Sequence, residues 1–140
     1  MRYSVLAGRI LFSLLFVMSG LGHFSPQTIS FAAAHAVPAA SVAVPLSGIL
    51  AVLGGISIAL GYKARWGAVL IVLFLIPVTT MMHNFWSVND PGIAQNQMAH
   101  FMKNLSLLGS ALYIFYFGSG PLSLDARRHE YPESSTQHAA

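Results

Sequence analysis

The sequence predicts an all-α integral membrane protein. The expected architecture is a four-helix bundle with both termini in the cytoplasm and a short interfacial helix between the first and second spans. Three observations predict it. Of 140 residues, 55% are hydrophobic and only 8% are charged, against about 25% charged in soluble domains, and the mean hydropathy is +0.64. Four apolar stretches have the length of a membrane span. Finally, nearly every Lys and Arg falls on one side of a four-span arrangement. The net charge of +3 therefore reads as membrane topology, with the lipid bilayer as partner and no nucleic acid. Cysteine is absent, which excludes disulfides, iron–sulfur clusters and covalent haem attachment within this chain.

The first span runs from Val5 to about Leu21 and is broken only by Arg9. Arg2, this apolar run and the pair Ser19-Gly20 also fit a cleavable signal peptide. The length of the run and the like composition of the spans that follow favour a retained helix. The second span runs from Val42 to Leu60, the third from Trp66 to Met82, and the fourth from near Met98 to Phe117. A spanning helix needs about 20 largely apolar residues. The fourth qualifies once its polar first turns are counted, with Lys103 reaching toward the headgroups. None of the four alternates with the period of a barrel strand, so helices, which satisfy their own backbone in lipid, are expected.

Arg2 and Arg9, Lys63 and Arg65, and Arg127 and Arg128 form three basic clusters on one side. The intervening segments His23–Ser41 and Asn84–Gln97 contain no Lys or Arg. The positive-inside rule then places both ends in the cytoplasm, and the expected location is a bacterial inner membrane. Ser25-Pro26 ends the first helix. The stretch Pro26 to Val37 reads as a short helix lying at the outer interface. Asn89-Asp90-Pro91-Gly92 is a turn signal in the second outer loop. Residues 1–125 form the expected membrane domain, and 126–140 a polar, disordered tail. Ser57 with Gly61, and Ser106 with Ser110, are small pairs suited to close helix packing. Pro77 is expected to bend the third span and free a carbonyl one turn earlier, with Thr79 and Thr80 helping to satisfy local backbone groups.

Polar groups at membrane depth are costly and point to function. His100, Lys103 and Asn104 share one helix face by their i, i+3, i+4 spacing. His83 and Trp86 lie at the adjacent helix end, with His23 at the same level. Phe85, Trp86 and Phe101 would wall a pocket there. Such a pocket suits a quinone, whose carbonyl oxygens a His or Lys can hydrogen-bond and protonate. The competing reading is interfacial anchoring by Trp, His and Lys. No metal site is expected, since no paired His or Glu-xx-His motif is present, and nothing supports haem. On the other side, Arg9 and Asp125 are expected to form a structural ion pair, with snorkelling of Arg9 as the alternative. No nucleophile–base set or phosphate-binding glycine loop identifies a catalytic residue.

Gly8-Arg9-Ile10-Leu11 with Ser19-Gly20, Gly54-Gly55 with Leu60-Gly61-Tyr62 and Arg65, His83-Asn84-Phe85-Trp86, the run His100 to Gly109, and Gly118 to Asp125 together resemble the DoxX family. His23 departs from that pattern, where relatives often carry lysine. The resemblance implies a small four-helix membrane protein linked to redox complexes, some relatives being subunits of a thiosulfate:quinone oxidoreductase. The expected function is a quinone-interacting subunit of a redox or respiratory complex. The alternative is a non-catalytic scaffold that recruits a redox partner protein. A small transporter ranks last, because no helix carries a repeated polar stripe. A homo-oligomer is compatible with every reading.

Overall fold

The computed structural model describes residues 1–130, and within them the chain is helical with no strand. Six α-helices follow one another: α1 (Arg2–Gly22), α2 (Pro26–Ala34), α3 (Ala40–Leu60), α4 (Ala64–Met82), α5 (Pro91–Phe117) and α6 (Leu124–Glu130), with a single 3₁₀ turn at Phe85–Ser87 before α5. Three of them, α1, α3 and α4 extended through Ser87, are long and apolar enough to cross a membrane. The expected short helix between the first two spans is present as α2. The chain is also helical from Leu124 to Glu130, which takes in residues 126–130 of the segment expected to be disordered. The remainder of that segment lies outside the described residues.

Local chemistry sets the boundaries. The Ser25 hydroxyl accepts the Thr28 N–H at 3.2 Å, and Pro26 occupies the first helical position, where its missing N–H costs nothing. Gly61 ends α3 at φ +62. Its N–H bonds Ile58 O and the N–H of Tyr62 bonds Ser57 O, each at 3.0 Å, the pairing of a left-handed helix cap. The Asn89-Asp90-Pro91-Gly92 signal proves to be a helix start rather than a loop turn. Asp90 accepts the Ile93 N–H at 2.9 Å and Pro91 is the first helical residue. The helix expected from near Met98 is therefore 27 residues long, about 40 Å.

The helices pack in the sequence α1 on α3, α3 on α4, and α4 on α5, with α2 against α3. Small residues allow the closest approaches. A Cβ on Gly20 would lie 2.8 Å from Gly48 O, and one on Gly54 would lie 2.9 Å from Gly67 O. The core between them holds Phe16, Ile58, Ile71 and Leu75, and Phe16 meets the edge of Phe74 at 6.0 Å. Leu11, Met18, Leu46, Leu53, Leu73, Ile76 and Leu112 are exposed. So much outward apolar surface is that of a protein solvated by lipid. Ser106 and Ser110 do not form an internal seam. Both are exposed, each donates to the carbonyl one turn earlier (3.1 and 3.0 Å), and Gly109 faces open space. Near Pro77, Thr80 donates to Ile76 O at 3.0 Å rather than to the carbonyl of Leu73, one turn before the proline, and Thr79 is buried.

Candidate functional site

Two ends of the molecule carry polar clusters. One end, the termini end, gathers the start of α1, the α3–α4 turn and the α5–α6 link. The other, the loop end, gathers α2, the end of α4 and the start of α5.

At the termini end, Arg9 is 5% exposed, although it lies in an apolar helix. Its guanidinium donates to Ser119 O and, at 2.8 Å, to Leu122 O. Asp125 is turned elsewhere. Its carboxylate accepts the Lys63 N–H at 3.1 Å and the Ser119 hydroxyl. Its own N–H bonds Gly61 O at 3.0 Å. The expected partners are thus in one cluster but are joined through Ser119, whose carbonyl takes Arg9 and whose hydroxyl serves Asp125. Backbone carbonyls take both terminal nitrogens of the guanidinium without a second desolvated charge, while its buried Nε has no hydrogen-bond partner among the described residues. Burial alone would raise the Asp125 carboxyl. The Ser119 hydroxyl, the N–H groups of Lys63 and Ala64 and the Arg128 charge outweigh it, holding the group below its ordinary value. Ser123, 2% exposed, caps α6 by accepting the Ala126 N–H at 3.1 Å. Gly61 is required at the centre, since a Cβ there would come within 2.4 Å of Ser123 Cβ and 2.6 Å of Arg9 Nη1.

At the loop end, the structure brings His83 and His100 together. Their rings stack at 5.1 Å with 16° between planes. His83 Nδ1 lies 2.7 Å from Gln97 Oε1. Gln97 went unrecognised in the sequence, although it precedes His100 by one helical turn on the same face. Trp86 packs edge-on against Phe85 at 5.2 Å and Phe101 at 5.8 Å, and remains 62% exposed. Asn104 is buried, whereas Lys103 next to it is exposed. His23 stands apart from this group, with its ring edge-on to Phe74 at 5.5 Å and Nδ1 2.8 Å from Ser19 O.

His23 instead borders a cleft that the sequence reading missed. The cleft has a volume of about 320 Å³ and lies between α2, α3 and α4. Its wall is made by Ala32, Val37, Val44, Leu50, Leu73, Pro77, Val78, Met81 and Met82, with only His23, Thr28 and Ser47 as polar side chains. All three polar side chains have partners of their own: Thr28 donates to Gly22 O at 2.9 Å, Ser47 donates to Val44 O at 2.7 Å, and His23 is held through Nδ1 at Ser19 O. The volume lies at the lower end of the range of about 300–1,000 Å³ for ligand pockets. Two adjacent methionines give it an adaptable wall. The signal in the sequence was Pro38, Pro45 and Pro77 bracketing small residues. That pattern marks irregular packing but does not say that the resulting gap is hollow. Among the described residues, no group of three or more His, Asp or Glu side chains is placed to hold a metal ion.

Fold and cleft together define a small helical membrane protein with an apolar recess at one end. The chain belongs to the SURF4 family, whose sequence profile matches residues 1–131. It is 28% identical over 125 residues to the inner membrane protein YphA of Escherichia coli (strain K12), a match covering 88% of this chain and 89% of that one. It is 29% identical over 75 residues to the Surfeit locus protein 4 homolog of Schizosaccharomyces pombe, and 29% identical over 73 residues to the ER-derived vesicles protein ERV29 of Saccharomyces cerevisiae. These matches cover 53% and 52% of this chain, but only 25% and 23% of the two yeast proteins. No solved structure matches.

This membership corrects the DoxX resemblance. Many of the residues that carried it are small residues within helices, such as Gly54 and Gly55 in α3, or basic and aromatic residues near helix ends, both of which membrane bundles favour generally. Each has a local task here: Gly61 caps α3, Arg9 holds the α5–α6 link, and Trp86 packs on Phe101. The quinone-interacting redox subunit, and the alternative of a scaffold for redox partners, rested on that family and fall with it.

Proposed function

We propose that the protein is a membrane-embedded binding protein that takes an apolar, chain-like ligand into the cleft between α2, α3 and α4. The observation that carries this reading is the cleft itself: about 320 Å³ of space, with a wall almost wholly apolar. A lipid acyl chain has matching chemistry and is the most abundant such group around the protein. In this reading α5 is a fourth span, running antiparallel to α4. Contact of Gln97 and His100 with His83 at one end, and of Tyr116 with Arg65 at the other, supports that course. The distribution of Lys and Arg supports cytoplasmic termini, so the cleft opens toward the outer leaflet. The inner membrane is the proposed location, in keeping with the relative named for it.

A photoactivatable fatty acid, cross-linked to the purified protein in vesicles and mapped by mass spectrometry, tests the reading. Labelling should concentrate on the α3 and α4 segments around Ser47 and Met81–Met82. It should fall several-fold in Ser47→Phe, which fills the cleft. Labelling spread evenly over outward residues such as Leu11 and Leu112 would refute it. An apolar polypeptide segment has the same chemistry and is the second occupant to test. Strong cross-linking of a polypeptide at those same residues in native membranes, with weak labelling by the fatty acid, would select it.

A further inference from the structure

A second groove lies at the termini end, remote from the apolar cleft. It has a volume of about 520 Å³ and runs between the first turn of α4 and the α5–α6 link, bordered by Lys63, Arg65, Trp66, Gly118, Ser119 and Asp125. We propose that this groove binds a phosphate-bearing anion, with Arg65 as its principal contact and Lys63 as a second cation.

The charges decide the sign of the ligand. Among the described residues Asp125 is the only acid bordering the groove, and its carboxylate is already taken by the Ser119 hydroxyl and the Lys63 N–H. That capping also occupies the end of α4, so the donors on offer are side chains. Arg65 is exposed and donates through Nη2 to Tyr116 O at 3.3 Å, leaving donors of its fork for an anion. Gly118 keeps the approach open: a Cβ there would lie 3.4 Å from Arg65 Nε. A guanidinium matches two phosphate oxygens at once, whereas an ammonium offers a point charge. Trp66, 70% exposed, stands at the rim beside Arg65, and Trp favours the headgroup level of a bilayer. Phospholipid headgroups and soluble phosphates share the required chemistry, and position at the membrane boundary favours the former.

Trp66 supplies the reporter, because Trp86, the other of the two tryptophans, lies at the opposite end and can be replaced. The Trp86→Phe protein is placed in phosphatidylcholine vesicles, and quenching by brominated phosphatidylglycerol is compared with quenching by brominated phosphatidylcholine. The expected result is an about fivefold preference for the anionic lipid, the size that one basic residue near such a surface confers. Arg65→Gln should remove most of it, and Arg65→Lys, which keeps the charge and guards against misfolding, should restore part. Arg2→Gln, a change outside the groove at the same end, should leave it intact. Inorganic phosphate added to vesicles of phosphatidylcholine alone separates the sources. A Trp66 response that disappears in Arg65→Gln, without any lipid preference, identifies a soluble phosphate as the ligand. The proposal is overturned if neither probe is bound, or if Arg2→Gln and Arg65→Gln reduce the preference equally, since diffuse charge would then explain it.

Discussion

Replacing Arg9 by methionine removes the donors that two backbone carbonyls of the α5–α6 link share. Hydrogen bonds to charged groups contribute more than neutral ones, and Ser119, one of the two residues whose carbonyl is abandoned, is buried. The expected loss is about 3 kcal/mol in unfolding stability, measured by thermal denaturation in detergent. Arg9→Lys should recover part of it, since an ammonium can serve one carbonyl. Asp125 gives a prediction with a definite sign. Its folded carboxyl sits below the ordinary value of 3.8, so its contribution is fully present above that value and is lost as pH falls through the lower folded value. Acid titration of stability should steepen below about pH 4, and Asp125→Asn should flatten that limb. A steep limb retained in the variant would assign the acid sensitivity to another group. Gly61→Ala combines a left-handed backbone with a collision against Ser123 and Arg9. It should cost about 1–3 kcal/mol, seen as a lower melting temperature than for Gly8→Ala, where the space is open.

At the scale of elements, α5 makes the sharpest forecast. Its 27 residues exceed the hydrocarbon thickness of about 30 Å, so its first turns should stand clear of the membrane. The chain lacks cysteine, which makes single thiols clean probes. Gly92→Cys should react with a membrane-impermeant maleimide and Leu112→Cys should not; equal reactivity would mean that α5 lies along the surface. Much of this level was legible in the sequence. The apolar runs marked α1, α3 and α4, and Ser25-Pro26 marked the start of α2. Asp90-Pro91 was misread because a cap followed by proline carries the same residues as a turn, and only the continuation distinguishes them. The loop-end cluster was legible in part. His83 and His100 do meet, because a short connection forces two adjacent helix ends together. Gln97 reads as loop because the apolar run begins only at Met98, whereas α5 begins at Pro91.

For the whole molecule, lipid is the solvent that makes the structure intelligible. Exposed Leu11, Leu53, Ile76 and Leu112 would aggregate a protein in water, and in a bilayer they cost nothing. The apolar cleft was not legible, because a void is a property of how three helices fail to fill space, and no residue type encodes it. Its size depends on α2 holding the approach to α3, with Ala32 and Val44 in one buried cluster and Met82 packed against it. Family membership was not legible for a related reason: residues favoured by the bilayer recur in more than one family of membrane bundles. If the termini are cytoplasmic, reporter tags placed at each end should both resist protease added to intact spheroplasts. Digestion of either would break the four-span topology.

The hold of Arg9 on Ser119 and Leu122 also bears on biosynthesis. Ribosomes deliver α1 to the membrane before the carbonyls at 119 and 122 have been polymerised. During that interval a guanidinium destined for burial has no permanent mate, and the first helix must wait near the interface or borrow water. Closure of the last link therefore certifies that translation has passed residue 122. A chain ended at Phe117 would retain all the long helices yet leave a naked cation among them, and cellular quality control should clear it faster than the full-length protein in a pulse-chase experiment.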